Sequence, residues 1–81
     1  MCPIMAVKIN GRETFAPQVQ EILTQYGCNI KTRVGFHEAA EDQCTMDGIL
    51  VLQVCGANEE IEAMFSALNK LDGVTAKFIE F

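Results

Sequence analysis

The sequence predicts an α+β fold with the element order βαββαβ, the ferredoxin-like arrangement of one antiparallel four-stranded sheet with two helices on one face. Two segments carry apolar residues at helical spacing, and four short segments are apolar or alternate in character. Asn-Gly and Asp-Gly pairs mark the end of the first strand and of the second helix. Right-handed crossovers then favour the spatial strand order 4-1-3-2.

The first half of the chain is predicted to form a strand, a helix and a strand. The apolar run at residues 3–9 ends at Asn10-Gly11 and is the first strand. Thr14 is the expected helix N-cap, Pro17 lies in the first turn, and Gly27 is the C-terminal cap. The second strand alternates in character from residue 28 onward. The apolar stripe of the helix consists of Phe15, Val19, Ile22, Leu23 and Tyr26.

The second half repeats this order. A polar segment at residues 39–47 precedes the apolar run 48–56, which is typical of a central strand. Asn58 is the expected cap of a helix that ends near Asp72-Gly73, and residues 74–81 form the last strand. The apolar stripe of this helix consists of Ile61, Met64, Phe65, Leu68 and Leu71.

Length and composition limit the class of protein. The 81 residues are expected to form one domain, spanning 1–81, because a chain this short cannot build a second core. With 49% hydrophobic and 21% charged residues, the composition is that of an ordinary globular protein. The net charge of -5 argues against general nucleic-acid binding. No membrane-spanning run or secretory signal is recognisable, so we expect a cytoplasmic protein with no membrane association.

Strand parity sorts the sheet residues into two sides. The side beneath the helices is expected to contain Met5, Val7, Ile9, Ile30, Val34, Phe36, Leu50, Leu52, Val54, Val74, Ala76 and Phe78. The uncovered side is expected to contain Ile4, Ala6, Lys8, Lys31, Arg33, His37, Ile49, Val51, Gln53, Cys55, Thr75, Lys77, Ile79 and Phe81.

The uncovered side has three possible uses. Its lysines can simply lie over apolar surface in solvent, the side can pack against a second copy, or an anionic ligand or nucleic acid can lie on it. Its central strands lack the aromatic residues with which ferredoxin-like modules stack RNA bases, so that mode is not expected. In a homodimer or homotetramer, the predicted interface consists of Ile4, Lys31, Arg33, Ile49, Val51, Gln53 and Ile79.

Candidate sites for small ligands are few. The Asn10-Gly11-Arg12 segment offers backbone amides near a helix N-terminus, which favours an anion or a ligand carboxylate, although an ordinary glycine turn explains it equally. His37 and Cys44 are candidate metal ligands in or near the hairpin that the second and third strands are expected to form around residues 39–47. No nucleophile, base and acid form a convincing catalytic set, and no phosphate-binding glycine pattern occurs, so we expect no enzyme.

The four cysteines form no CxxC pair. Cys28 is expected to face the core as a small hydrophobe. The fold places Cys2 and Cys55 at one end of neighbouring strands, where a disulfide is possible. Reduced thiols are nevertheless the expectation in a cytoplasmic protein.

Three segments resemble the iron-only hydrogenase system regulators, a family of small bacterial proteins that are stand-alone ACT-like domains. They carry the motifs Tyr26-Gly27, Arg33-Val34-Gly35 and Leu71-Asp72-Gly73-Val74 within ILTQYGCNIKTRVGFHEA, GILVLQVCG and EIEAMFSALNKLDGVTAKFIEF. The resemblance implies an ACT-like dimer or higher oligomer with a small metabolite near the first strand-helix loop. It does not identify a cofactor. The basic ribbon-helix-helix segment and histidine-rich site of nickel-responsive regulators have no counterpart.

Two hypotheses follow. The first is a non-enzymatic, oligomeric ACT-like regulator that senses a small ligand beside Asn10, Gly11 and Arg12. The rival is a metal- or redox-responsive module that uses His37 and the cysteine thiols.

Overall fold

The computed structural model describes residues 2–10, 12–39 and 44–80, and within these ranges the side chains of residues 2–10, 17–36 and 48–80. Seven elements follow one another in these described ranges. They are β1 (Ile4–Ile9), α1 (Arg12–Gln25), a 3-10 turn (Gly27–Asn29), β2 (Ile30–Ala39), β3 (Cys44–Val54), α2 (Asn58–Asn69) and β4 (Val74–Ile79).

The four strands form one sheet in the spatial order β2-β3-β1-β4. Each neighbouring pair is antiparallel, and both helices contribute to a core on one face of the sheet. The predicted ferredoxin-like topology is therefore confirmed. No helix in the described part of the chain is long and apolar enough to cross a membrane. The core consists of Met5, Val7, Ile9, Val19, Leu23, Leu52, Val54, Ile61, Met64, Leu68, Val74 and Ala76.

Several predicted boundaries differ from the structure. Helix α1 begins at Arg12 instead of at a cap on Thr14, which places Pro17 beyond the first turn. Helix α2 has Ala57 as its N-cap, without a side-chain cap hydrogen bond, so the prediction of Asn58 as the cap is wrong. Strand β3 begins at Cys44, inside the polar segment 39–47 that was expected to precede the strand. Backbone pairing between β2 and β3 extends these strands through polar sequence that carries no apolar pattern.

A β-bulge interrupts strand β2 near its start. Ile30 pairs with Val54, but Thr32 pairs with Gln53, so Lys31 is the extra residue on the bulged strand. An extra residue shifts the side-chain alternation by one position. Residues 32–36 of β2 therefore lie on the side opposite to the one expected from simple alternation, and the side chain of His37 lies outside the described residues.

The bulge overturns three side assignments. Arg33 pairs with the buried Leu52, so it lies on the helix side of the sheet and not on the uncovered side. Val34 and Phe36 lie on the uncovered side, although they were expected in the core. Because β2 is an edge strand, residues 31–36 are all exposed on both sides.

The outer edge of β4 is closed by a side chain from the last residue of α2. The Asn69 Nδ2 group donates a hydrogen bond to the Ala76 carbonyl (3.2 Å), and the Ala76 N–H donates one to Asn69 Oδ1 (2.8 Å). These bonds satisfy backbone groups that an edge strand otherwise leaves unpaired. Asn69 thus joins the end of α2 to the sheet.

Replacing Asn69 with alanine should lower the free energy of unfolding by about 1–2 kcal/mol, because two partly buried backbone groups lose their partners. Urea unfolding followed by circular dichroism measures the change. Asn58→Ala is the matched control, since Asn58 is exposed on the same helix and makes no cap hydrogen bond. Equal stability of the Asn69→Ala variant and the parent protein would contradict a structural role for this pair.

Candidate functional site

The side of the sheet away from the helices forms a continuous surface of three cross-strand rows, here called the open face. The strand registers define which residues are neighbours in each row. The rows are Thr32-Gln53-Ile4-Ile79, Val34-Val51-Ala6-Lys77 and Phe36-Ile49-Lys8-Thr75.

Apolar side chains on the open face are unusually accessible. Phe36 is 59% exposed, Val34 44%, Ile49 41% and Ile79 40%. These four are the large hydrophobic residues that the described part of the chain exposes, and all of them lie on this face. Contiguous apolar surface of this kind typically marks a binding site, whereas single exposed hydrophobic residues carry no such meaning.

A depression of about 340 Å³ lies at one end of the open face. Its positive charge comes from Lys8 and Lys77, and neither lysine forms an ion pair with a side chain that the structure describes. Among the side chains that the structure describes, no acidic residue lines it, despite the net charge of -5. The depression is lined by Ala6, Lys8, Asn10, Ile49, Thr75 and Lys77.

Most of the residues predicted for the interface lie on the open face. Ile4, Ile49, Val51, Gln53 and Ile79 are all in the three rows. Their orientation matches the expectation, because the alternating residues Leu50 and Leu52 point to the helix side.

The two basic residues predicted for the interface are placed differently. Lys31 is the bulge residue, and Arg33 lines a separate cleft of about 270 Å³ with Gly35, Gly48 and Leu50 on the helix side. Simple alternation did not predict that Thr32, Val34 and Phe36 of β2 lie on the open face.

The predicted ligand segment begins at the end of β1. The backbone N–H of Asn10 donates a hydrogen bond to the Gly73 carbonyl (2.7 Å), which holds this end of β1 against the turn before β4. Asn10 itself is exposed, and Arg12 is the first residue of α1. Gly11 and the Arg12 side chain lie outside the described residues. Their role in ligand binding stays a prediction.

The candidate metal ligands occupy the long hairpin of β2 and β3. His37 pairs with Gly48, and Cys44 pairs with Ala39, so their backbones are near one another on adjacent strands. Both side chains lie outside the described residues. Within the parts of the chain whose side chains are described, no group of three or more His, Cys, Asp or Glu residues could hold a metal ion. A metal site at His37 and Cys44 stays a prediction.

A disulfide joins Cys2 to Cys55, with 4.9 Å between their Cα atoms. The β1–β3 register explains this pairing. Ile4 lies opposite Gln53, and continuing the register by two residues places Cys2 opposite Cys55, at a separation suited to a disulfide. The expectation of reduced thiols at these two positions is therefore wrong for this structure.

The segment beside the disulfide contains the third cysteine of this end of the sheet. Cys28 is a free thiol and is exposed, so the expectation that it faces the core is also wrong. It lies in the 3-10 turn instead of in β2, and strand alternation does not apply there. The next residue, Asn29, is buried, and its Nδ2 group donates a hydrogen bond to the Cys55 carbonyl (3.1 Å).

Comparison with known proteins identifies relatives over almost the whole chain. The family model TM1266-like, with the description "Iron-only hydrogenase system regulator, putative", matches residues 2–78. The structure of uncharacterized protein TM1266 from Thermotoga maritima has 26% sequence identity and a TM-score of 0.80. This alignment covers 95% of the present chain and 91% of that one. No curated protein sequence matches the chain.

The fold is also similar to the ACT domain from GTP pyrophosphokinase of Chlorobium tepidum. Its solution NMR structure has 15% identity and a TM-score of 0.65, and the alignment covers 100% of this chain and 88% of that chain. Its crystal structure has 18% identity and a TM-score of 0.65, with coverage of 98% and 97%. At these identities the similarity shows the fold, which is ACT-like.

Proposed function

The chain belongs to the TM1266-like family of iron-only hydrogenase system regulators, and on that premise we propose that it is a non-enzymatic regulatory protein that self-associates through its open face and senses a small ligand. The family and the ACT-like fold support a regulatory role. Self-association and ligand sensing are argued from the described surface.

The observation that carries the proposal is the apolar content of the open face. Val34, Val51 and Ala6 are the apolar residues of the middle row, which Lys77 completes, and Phe36 and Ile49 lie beside them in the next row. A second copy is the occupant that we propose, because two copies present the same apolar rows to each other. An isologous dimer of this kind is the commonest form of soluble oligomer.

The dimensions of the face indicate the strength of such a dimer. Twelve same-face positions, at about 3.3 Å per residue and 4.8 Å between strands, cover roughly 400 Å² in projection per subunit. Typical stable interfaces bury about 800 Å² of accessible surface per partner. Side-chain relief makes the accessible area larger than this projection, so the face is near the lower end of the standard interface size, and we expect an association that depends on protein concentration in the micromolar range.

Placing a lysine at the centre of the face should dissociate the dimer. Val51→Lys puts an ammonium group into the apolar middle row, where two faces that already carry Lys8 and Lys77 meet. Desolvation and like-charge repulsion should raise the dimer dissociation constant about 100-fold or more. Size-exclusion chromatography with light scattering, in phosphate buffer, measures this change.

A matched control tests whether position matters more than charge. Ala63 is exposed on α2, on the opposite side of the subunit, so Ala63→Lys adds the same charge away from the open face. It should leave the dimer intact. Circular dichroism verifies that both variants fold. If Val51→Lys and Ala63→Lys have the same mass as the parent protein, the open face is not the interface.

The ligand-sensing part of the proposal concerns Asn10, Gly11 and Arg12. Backbone amides at the start of α1 favour a negatively charged group, and Asn10 is fixed near them by its bond to Gly73. A ligand that binds the native state raises the melting temperature. A panel of amino acids and other small metabolites, screened by thermal shift, tests this part. A panel that gives no stabilisation, or stabilisation that survives Arg12→Ala, would argue against this site.

The Cys2–Cys55 disulfide supports a second candidate function, that of a redox-responsive module. In reducing compartments, disulfides are often transient and redox-sensing, and Cys28 supplies an exposed free thiol in the segment that contacts Cys55 through Asn29. The metal form of this proposal uses His37 and Cys44. Elemental analysis of protein purified without a histidine tag tests the metal form, and substoichiometric metal would exclude it.

A further inference from the structure

The depression on the open face carries charge that an interface between two copies would have to neutralise. Lys8 pairs with Thr75 and Lys77 pairs with Ala6, so the two lysines are diagonal neighbours on adjacent strands. Diagonal residues are about 7–8 Å apart, within reach of one ligand for two long side chains. The remaining polar groups are the Thr75 hydroxyl and the Asn10 amide.

The open face supplies no counter-charge to these lysines. Its twelve positions contain Lys8 and Lys77 but no aspartate or glutamate. A dimer that brings two such faces together therefore encloses four ammonium groups, and none of the twelve described positions on either face supplies a carboxylate. Buried charges without partners are strongly unfavourable, whereas the apolar rows favour association.

We infer that the depression binds a small polyvalent anion, bearing phosphate or carboxylate groups, between the two copies, and that this anion promotes dimerisation. The inference rests on the open-face dimer proposed above. The volume of about 340 Å³ per subunit is in the range of small-molecule sites, and Ala6 and Ile49 provide an apolar floor. Lysine ammonium groups act as point charges, which suits tetrahedral phosphate oxygens as well as carboxylates.

The experiment measures the dimer dissociation constant by sedimentation equilibrium with three anions at matched ionic strength. Pyrophosphate and citrate are the polyvalent probes, and sodium chloride is the monovalent reference. Pyrophosphate or citrate should lower the dissociation constant about tenfold or more relative to chloride, within the usual range of coupling between two binding events. The probe that lowers the dissociation constant more identifies whether the site prefers phosphate or carboxylate groups.

Charge-removing variants distinguish a site from general screening. The double variant Lys8→Gln, Lys77→Gln should dimerise equally well with all three anions, because it has no ammonium groups to neutralise. Lys70→Gln is the matched control, since Lys70 is exposed at the end of α2, and it should keep the response of the parent protein. Circular dichroism verifies the fold of each variant.

The outcomes of these experiments distinguish failure of the anion site from failure of the open-face dimer. A parent protein that dimerises equally with all three anions overturns the anion site and leaves the open-face dimer standing. An anion response that persists in the double variant also overturns the site. A protein that stays monomeric under every condition, variants included, overturns both the anion site and the proposed self-association.

Discussion

Reducing the Cys2–Cys55 disulfide should lower the free energy of unfolding by about 4 kcal/mol, if the crosslink acts mainly by restricting the unfolded chain. The two cysteines are separated by 53 positions, so the bond closes a loop of more than half the 81-residue chain. Long loops lose the most conformational freedom when they are closed. Small domains have only about 5–15 kcal/mol of stability, so this bond accounts for a large share.

Urea unfolding with and without a reductant measures this loss. Cys2→Ser should reproduce the reduced state and should no longer respond to reductant. Cys28→Ser is the control, because Cys28 is a free, exposed thiol, and its replacement should change stability little. A parent protein with the same unfolding midpoint in oxidising and reducing buffer would show that the bond contributes nothing to the stability of the fold.

Gly56→Ala should destabilise the protein by about 2–4 kcal/mol. Gly56 has φ of 127°, a conformation that residues with a Cβ rarely adopt. A Cβ at this position would also overlap the side-chain amide of Asn29. The change therefore combines backbone strain with displacement of the buried amide that holds the Cys55 carbonyl.

Gly27→Ala is the matched control for Gly56→Ala. A Cβ at Gly27 would meet no other atom within 4 Å, and Gly27 is not among the glycines with positive φ. This change should alter the free energy of unfolding by less than about 1 kcal/mol. Chemical denaturation of the two variants in parallel makes the comparison. Similar losses at both positions would mean that the contact between Gly56 and Asn29 does not limit stability.

The topology was predictable because each element has a local pattern that agrees with its tertiary environment. Met5 and Val7 alternate with Ala6 and Lys8, so one side of β1 enters the core and the other forms the open face. Glycine-containing turns separate these patterns, and right-handed connections leave few ways to assemble them. The sequence therefore determined the strand order and the general location of the candidate site.

The bulge at Lys31 was not predictable from the alternation of β2. Residues 28–37 alternate without a visible interruption, but the pairing with β3 places Lys31 outside the regular ladder. The shift moves Val34 and Phe36 to the open face and Arg33 away from it. The resulting open face is more apolar and less basic than the sequence indicated. Cross-strand register, which depends on the whole sheet, decided this outcome.

The state of Cys2 and Cys55 depends on the same kind of nonlocal information. Compartment arguments favoured thiols, whereas the register between β1 and β3 brings the two residues directly opposite one another. The start of α2 was also predicted wrongly, because the helix begins after Ala57, which makes no side-chain cap hydrogen bond. In each case the outcome depends on interactions between backbone segments, and the residue types in the sequence give little information about those interactions.

Sedimentation equilibrium of the parent protein in phosphate buffer is the most direct test of the open-face dimer. We expect the mass to rise with concentration from the 8.9 kDa of one chain toward twice that value, and Val51→Lys to stay at the mass of one chain throughout. A parent protein that remains at 8.9 kDa across the micromolar range would contradict the claim that a second copy covers the open face.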